Sequence, residues 1–206
     1  MGHRLEASRT PVREALFRLA QEGYLQMKSR AGWMVKPFEF RQFQELYDLR
    51  SLLETGSIRR MARGALPEPI RDLAAVWIVP ERARLTEGPR ISEADEAFHH
   101  TLVASVGNRE VTQIHQEVTE RIRIVRRLGY ATGDRLSATY DDHQAILEDL
   151  YRGAFDAACT RLEAHIASNR ATVETITLAR LEEARSNRNS GAKEPPSTTP
   201  SGPPRR

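Results

Sequence analysis

The chain has 206 residues, of which 39% are hydrophobic and 29% are charged, and its formal net charge is +3 at pH 7. This composition is typical of a soluble globular protein, and the sequence has neither an apolar run long enough to cross a bilayer nor a secretory signal at its start, so we expect no membrane partner. The single cysteine, Cys159, excludes an intramolecular disulfide framework and favours a cytoplasmic location.

The first predicted elements are a short helix and two short strands. Thr10 can cap the helix, Pro11 suits its first turn, and Gly23 can end it. The strands are predicted at residues 24–27 and 33–35, with a turn between them. The apolar stripe of the helix consists of Val12, Ala15, Leu16, Leu19 and Ala20.

A helix followed by a two-stranded hairpin is typical of the second half of a winged helix-turn-helix. Residues 1–40 carry seven Lys and Arg against four Glu, which is compatible with a nucleic-acid contact at this end. Arginines read guanine edges, hydroxyl groups near a helix N-terminus bind phosphate, and a hairpin tip reaches the minor groove or the backbone. The alternative interpretation is that these are ordinary solvated side chains. The candidate DNA contacts are Ser8, Arg9, Thr10 and Arg13 around the helix start, and Arg30 and Gly32 in the hairpin.

From Arg41 to residue 185 the pattern is helical almost throughout. Pro80 is expected to kink or split the second of these helices, because proline lacks the N–H of an interior helical bond. Helices of this length with short links form an antiparallel bundle, so the predicted fold class is mainly all-α, with a partial winged helix-turn-helix before a six-helix bundle. The tail at 186–206, rich in Pro, Ser and Thr, is predicted to be disordered. The predicted helices are 41–64, 68–87, 91–106, 109–128, 135–152 and 154–185.

Four polar residues occupy stripe positions where apolar residues are expected. Asp95 and His99 are one turn apart in one helix, His143 heads the stripe of another, and His165 lies among the apolar residues of the last. A lone buried histidine is more often a core side chain with a hydrogen-bond partner, but four such residues on three helices indicate a shared partner. Three neutral imidazoles and one carboxylate suit a divalent metal such as Zn, Ni or another first-row ion.

The remaining histidines are not assigned to this site. His100 is rotated by about 100° from His99 around the helix and is expected to face solvent. His115 borders the apolar stripe of its own helix, and His3 lies near the chain terminus.

Residues 8–25 carry a specific resemblance. The segment Ser-Arg-Thr-Pro-Val-Arg-Glu-Ala-Leu at 8–16, followed by Leu19 and by Glu-Gly-Tyr-Leu at 22–25, resembles the recognition-helix signature of the GntR family. The resemblance implies that Arg9 and Arg13 contact operator DNA. It also places the residues at Ser8 and Thr10 against the DNA and identifies Gly32 as the wing glycine. In that family two helices precede the signature, whereas seven residues precede it here, so we expect an N-terminally truncated winged helix or a misassigned start codon.

A second resemblance covers the helical region. It is similar to the FCD domain, the effector domain of FadR-like GntR regulators, and six helices rather than seven favour the shorter, VanR-like form. The resemblance implies that Asp95, His99, His143 and His165 hold a metal and that a small organic acid metabolite completes its coordination. The matching motifs are Leu46-Tyr47-x-x-Arg50-x-x-Leu53-Glu54, Asp95-x-x-Phe98-His99-x-x-Leu102, Gly107-Asn108, Asp142-His143-x-x-Ile146 and Leu162-x-x-His165.

A cation in the effector pocket would pair with the acid. Arg50 and Arg121 are the candidates, since each falls with apolar residues on the inward face of its helix. The alternative for both is a structural salt bridge or a side chain that extends to solvent.

These observations predict a transcription regulator that binds operator DNA as a two-fold dimer, with repressor as the expected role. The predicted division is a partial DNA-binding domain at 1–37, an effector-binding domain at 38–185 and the tail at 186–206. One alternative is a sensor or dimerisation fragment without DNA binding. A metalloenzyme is less favoured, because no general base or nucleophile motif accompanies the metal ligands.

Overall fold

The structure is a computed structural model, which describes residues 8–21, 24–29, 32–37, 39–129 and 135–191. Its first part, called the head below, comprises helix α1 (Arg9–Gln21) and strands β1 (Leu25–Lys28) and β2 (Gly32–Val35). The strands pair antiparallel, with Leu25 opposite Val35 and Lys28 opposite Gly32. The predicted helix and hairpin are therefore confirmed.

An aromatic contact and two backbone bonds help to hold the described part of the head together, in addition to the pairing of its strands. The rings of Phe17 in α1 and Trp33 in β2 meet edge to face, with centroids 5.0 Å apart. The Tyr24 amide donates to the carbonyl of Leu19 at 2.9 Å, and the Lys36 amide donates to the carbonyl of Tyr24 at 2.8 Å. The first bond joins the start of the hairpin to the end of α1, and the second joins the residue after β2 to the start of the hairpin.

The second part, called the bundle below, is helical. Its long helices form the walls, and two short helices and a 3₁₀ turn cross one side. The elements are α2 (Phe40–Met61), α3 (Glu68–Asp72), α4 (Ala74–Trp77), a 3₁₀ turn (Glu81–Ala83), α5 (Gly88–Ala104), α6 (Arg109–Gly129), α7 (Arg135–Tyr151) and α8 (Phe155–Gly191).

Two of the predicted helices differ most from the structure. The helix predicted at 68–87 is split, as expected at Pro80, but into three pieces, which are α3, α4 and the 3₁₀ turn. Pro80 explains the break after Trp77, since proline disfavours helical geometry in the residue before it and cannot donate an N–H bond. At the other end, α8 continues through Gly191, past the predicted start of a disordered tail at Ser186. An established helix gains one hydrogen bond for each residue it adds, and no proline interrupts this stretch. Residues 192–206 lie outside the described part.

A tight turn joins α7 to α8. Gly153 has a φ of 73°, the left-handed conformation that favours glycine, and its amide donates to the carbonyl of Leu150 at 3.1 Å. The Ala154 amide donates to the carbonyl of Asp149 at 2.8 Å. These bonds satisfy carbonyls at the end of α7 and turn the chain back on itself.

The hydrophobic core lies along the axis of the bundle. α8 packs against α2, α6 and α7, and α5 packs against α2 and α6. Within the described part of the chain, no helix is both long and apolar enough to cross a membrane. Fully buried core residues include Ile58, Phe98, Leu102, Ile122, Ile146, Leu147 and Leu162.

A side-chain hydrogen bond connects the head to the bundle. The hydroxyl of Tyr24, at the start of the hairpin, donates to the backbone carbonyl of Glu120 in α6 at 2.7 Å. Because this bond is partly buried, it fixes one point of the head against α6.

Candidate metal centre and DNA interface

The four residues predicted as metal ligands converge inside the bundle. Asp95 and His99 come from α5, His143 from α7 and His165 from α8, and each is at most 2% exposed. One ligand atom of each lies within 4.8 Å of the other three. The four residues that helical periodicity predicts to face inward therefore meet at one point inside the bundle.

The distances fit a small cation bound between these atoms. Oδ1 of Asp95 lies 3.4 Å from Nε2 of His99, 3.3 Å from Nε2 of His143 and 3.7 Å from Nε2 of His165. A tetrahedral ion with bonds of about 2.0–2.1 Å would hold its ligand atoms roughly 3.3 Å apart.

Most of the converging atoms lack a hydrogen-bond partner in the described residues. These atoms are Oδ1 of Asp95, Nε2 of His99 and both ring nitrogens of His143. An unsatisfied buried polar atom is costly, and several of them at one point indicate that a cation belongs there. The residues present fit a divalent metal.

Carboxylates on the outer side of the site orient two of the histidines. Nδ1 of His99 is 2.5 Å from Oε2 of Glu54, and Nδ1 of His165 is 2.9 Å from Oδ2 of Asp142. A carboxylate on Nδ1 places the ring hydrogen there and leaves the lone pair of Nε2 free to bind a metal. At His165 the amide of Asn169 also lies 2.8 Å from Nε2, so this nitrogen has a competing partner.

Arg126 of α6 forms a buried ion pair with Asp95. Its guanidinium contacts Oδ2, the carboxylate oxygen that does not face the three histidines. Burial acts to raise the pKa of Asp95, but the guanidinium of Arg126 and the contact with His99 outweigh it and hold this pKa well below 3.8. Asp95 is therefore ionised, which a metal ligand requires.

The histidines differ in their proton affinity. Burial and the charge of Arg50 lower the pKa of His99 from 6.5, and burial and the charge of His165 lower the pKa of His143 well below 6.5. Burial also acts to lower the pKa of His165, but the carboxylates of Asp142 and Asp95 outweigh it and the net shift is upward. His99 and His143 are thus neutral, the form that binds a metal.

Glu54 of α2, which sequence reasoning did not assign to the site, connects it to two further residues. Its carboxylate lies 2.6 Å from Nε of Arg50 and 3.0 Å from Nε2 of His115, in addition to the bond to His99. Burial acts to raise the pKa of Glu54, but Arg50, His99 and His115 outweigh it and keep this pKa well below 4.5. The spacing of Arg50 and Glu54, one turn apart on a helix with an apolar stripe, could have indicated this pair.

His115 was set aside in the sequence analysis, and the structure corrects its expected position. Its side chain is only 1% exposed and is bonded to Glu54 rather than standing at the edge of its helix. His100, by contrast, is exposed as predicted. The Asp95 carboxylate groups with His99, His143 and His165 and not with His115, so the predicted ligand set does not change.

The two arginines predicted to receive an effector differ in their burial. Arg50 is fully buried, and its Nη1 and Nη2 have no hydrogen-bond partner in the described part of the chain. Arg121 is exposed on α6, so its predicted inward orientation is wrong. The inward arginine of α6 is Arg126, which follows Val118 and Ile122 at intervals of four residues.

Aromatic rings enclose His143. The ring of Phe98 stacks on the imidazole with centroids 3.9 Å apart, and the ring of Trp77 meets it edge-on at 4.1 Å. These contacts exclude water from one side of the site and fix the orientation of His143.

The predicted DNA contacts that the structure describes are exposed. They lie at the start of α1 and at the start of β2, where Gly32 has a φ of 76°. The guanidinium of Arg13 is 5.6 Å from the ring centroid of Phe17, so its charge projects along the exposed side of α1. The side chain of Arg9 and the whole of Arg30 lie outside the described residues. The exposed candidates are Ser8, Thr10, Arg13 and Gly32.

Two family models match the chain. Residues 2–35 match the model described as "Bacterial regulatory proteins, gntR family". Residues 45–168 match the model described as "FCD domain", which by itself spans more than half of the chain.

Curated relatives are transcription regulators. The Nta operon transcriptional regulator of Aminobacter aminovorans is 30% identical over 166 residues, which are 81% of this chain and 78% of that protein. The gluconate operon transcriptional repressor of Bacillus licheniformis is 27% identical over 143 residues, which are 69% of this chain and 58% of that protein.

Solved structures of regulators share the fold. A GntR transcriptional regulator of Rhodococcus sp. RHA1 superposes with a TM-score of 0.66 at 18% identity, covering 84% of each chain. A GntR family member from Pseudomonas syringae has a TM-score of 0.57 at 21% identity, covering 89% of this chain and 76% of that one. At these identities the likeness concerns the fold alone.

Proposed function

Because this chain belongs to the GntR family of bacterial regulatory proteins and carries an FCD domain, we propose that its bundle binds a divalent metal and, through it, senses a small organic acid. The chain is a DNA-binding transcription regulator and not an enzyme, and its curated relatives are transcription regulators as well. In this proposal it acts in the cytoplasm as a homodimeric repressor, with residues 1–37 as the DNA-binding part and 38–185 as the effector-binding part.

One observation carries the metal proposal. Asp95 presents an ionised oxygen to the Nε2 atoms of three histidines, and several of these buried atoms have no protein partner in the described residues. Asp95, His99, His143 and His165 would hold the ion, with Zn or Ni favoured by the nitrogen-rich donor set. When bound, the ion supplies a Lewis-acidic centre with coordination positions left for an exogenous oxygen ligand.

Arg50 is the residue best suited to receive the acid. Its Nη1 and Nη2 donors are buried and unsatisfied in the described part, while its Nε is held by Glu54. Because Glu54 also binds His99, Arg50 and a metal ligand share one rigid carboxylate. A guanidinium with both terminal nitrogens available can grip a carboxylate through two parallel hydrogen bonds. Arg121 is not part of this proposal, since its side chain is exposed.

The DNA contacts proposed are Ser8, Thr10, Arg13 and Gly32, together with Arg9 and Arg30. Exposure of the first four at one end of the head supports this assignment. An arginine at the start of a helix lying in the major groove can read guanine, and neighbouring hydroxyl groups and a hairpin can fix the backbone.

Helix α6 offers a physical connection between the two activities. It carries Arg126 to the metal ligand Asp95, and its Glu120 carbonyl accepts the hydrogen bond of Tyr24 from the head. Effector binding that favours one position of α6 would shift the population of head orientations, and therefore the operator affinity.

The proposal is tested by thermal unfolding of the metal-loaded chain against a panel of small organic acids. A true effector binds the folded state and raises the melting temperature with increasing concentration. The rise should vanish in metal-free protein and shrink in Arg50→Lys, which keeps the charge but loses the paired terminal nitrogens. Absence of bound metal in the purified and reconstituted chain would refute the metal centre, and a rise that is equal with and without metal would refute sensing through it.

A further inference from the structure

A cavity lies between α5 and α6. It has a volume of about 390 Å³, within the range of small-molecule sites. It is called the α5–α6 cleft below. None of its lining residues is one of the four metal ligands. Its lining includes Glu93, Glu96, His115, Thr119 and Arg123.

The floor of the α5–α6 cleft contains buried polar atoms without partners. Nδ1 of His115 and Oγ1 of Thr119 have no hydrogen-bond partner in the described residues, although the two side chains are only 1% and 4% exposed. A buried polar atom is normally satisfied, so two of them lining one cavity indicate a ligand that supplies the missing bonds.

The floor is rich in acceptors. Nε2 of His115 is 3.0 Å from the carboxylate of Glu54, which can only accept, so Nε2 carries a hydrogen. In the tautomer with this one ring hydrogen, Nδ1 is a bare acceptor that lines the α5–α6 cleft. Thr119 adds a hydroxyl oxygen that accepts as well as donates.

The rim of the α5–α6 cleft is negative. It carries two carboxylates, from Glu93 and Glu96, against the single guanidinium of Arg123. Arg123 is bonded to Glu96 through both Nε, at 3.0 Å, and Nη2, at 2.5 Å. This bidentate pair occupies the arginine, and Glu93 is left as an exposed carboxylate at the mouth.

We propose that the α5–α6 cleft is a second ligand site, which binds a small organic ammonium compound. The ammonium group meets the Glu93 carboxylate, and an N–H of the ligand reaches Nδ1 of His115 beside the Thr119 hydroxyl. An anionic ligand would face the carboxylates of Glu93 and Glu96, and the guanidinium of Arg123 is already paired with Glu96, so a second organic acid is disfavoured.

The α5–α6 cleft is joined to the metal centre by a chain of hydrogen bonds. His115 binds Glu54 at 3.0 Å, and Glu54 binds Nδ1 of the metal ligand His99 at 2.5 Å. An occupant of the cleft therefore contacts the first member of a chain whose last member is a proposed metal ligand.

The test is a calorimetric titration of the full chain, free of metal, with n-butylamine, which is protonated at neutral pH. Metal-free protein is used because an amine can coordinate a metal directly. Saturable binding is expected, with none for butyrate or for the neutral 1-butanol. The site does not rest on the proposed metal function, so a chain that fails to bind metal still tests it.

Variants locate the binding site. Glu93→Gln should weaken butylamine binding roughly tenfold, whereas Glu110→Gln, at an exposed carboxylate in the first turn of α6 outside the cleft, should leave it unchanged. Thr119→Val should weaken binding without lowering the melting temperature, because the hydroxyl it removes has no partner in the described part.

Three results would overturn the proposal. The first is no saturable binding of butylamine by the parent chain. The second is an equal effect of Glu93→Gln and Glu110→Gln. The third is a change of oligomeric state in Glu93→Gln with no butylamine binding, which would identify the cleft as an interface between copies of the chain.

Discussion

Arg126 and Asp95 form an ion pair inside the bundle, on the side of the carboxylate opposite the three histidines. The guanidinium thus neutralises Asp95 from α6 while Oδ1 remains directed at His99, His143 and His165. Without this partner the buried carboxylate would contact no cation among the described residues of the metal-free protein other than a protonated histidine.

Arg126→Met is expected to destabilise the metal-free protein by about 3–5 kcal/mol, the usual cost of leaving one member of a buried ion pair alone. Metal should restore part of this loss, because the ion compensates the same carboxylate. The measurement is denaturant unfolding with and without metal. Arg41→Met is the matched control, since its pair with Glu45 is exposed and such surface pairs contribute roughly 0–1 kcal/mol. Equal losses in the two variants would contradict the role given to Arg126.

His143→Ala is expected to lower the metal content sharply. The imidazole is a proposed ligand, and neither ring nitrogen has another partner in the described residues. Metal bound after dialysis is measured by mass spectrometry. His100→Ala serves as the control, because His100 is exposed on the helix that carries His99. Unchanged occupancy in His143→Ala would remove this residue from the site.

Acid is expected to destabilise the metal-free protein. The folded-state pKa values of His99 and His143 are lowered from 6.5, so the unfolded chain binds protons more tightly at these residues. Their contribution is complete above pH 6.5 and is lost as the pH falls from 6.5 through the lower folded-state values. His165 acts oppositely, because its raised pKa gives a contribution that is complete below 6.5 and is lost at higher pH.

Two pKa values are lowered and one is raised, so the effect of the two lowered values should dominate. The melting temperature, measured in the presence of a chelator, should therefore decrease as the pH is lowered from about 7.5 to about 5.5. His143→Phe keeps an aromatic ring between Phe98 and Trp77 but removes one titrating group. The pH dependence should therefore be shallower in this variant. A steeper or unchanged dependence would show that His143 does not contribute.

Arg13→Ala is expected to weaken operator binding, by about 1–3 kcal/mol if the guanidinium reads a base edge. Operator duplexes can be selected from a random pool and the affinity measured by fluorescence anisotropy. Arg18→Ala is the control, as Arg18 is exposed near the other end of α1. The bundle should melt at the same temperature in both variants. Equal affinities for Arg13→Ala and the parent chain would count against the proposed interface.

The metal ligands could be predicted from the sequence because each one interrupts an apolar stripe. Periodicity determines which side of a helix faces the core, so Asp95, His99, His143 and His165 could be assigned inward without knowledge of helix packing. It does not determine which helices are neighbours. For that reason Glu54 and its bond to His115, which join α2 to α6, were missed.

Two arginines of α6 show why residue spacing alone does not determine which side chains of a helix are buried. The spacing predicts that Arg121 lies on the inward face of α6, yet it is exposed, while Arg126 continues the buried line of Val118 and Ile122. A helix with 3.6 residues per turn rotates by about 100° at each residue, so side chains at the border of a stripe cannot be assigned from spacing alone.

The turn at Gly153 also limits which insertions α7 and α8 can accept. His143 precedes Gly153 by ten residues and His165 follows it by twelve. Because α7 and α8 are joined at this turn, the number of residues between each histidine and Gly153 determines how closely the two imidazoles approach. One residue inserted between His143 and Gly153 would rotate the His143 ring by about 100° around the axis of α7, out of the interior. The surface residues of both helices can therefore vary freely, but the number of residues between each histidine and Gly153 cannot change.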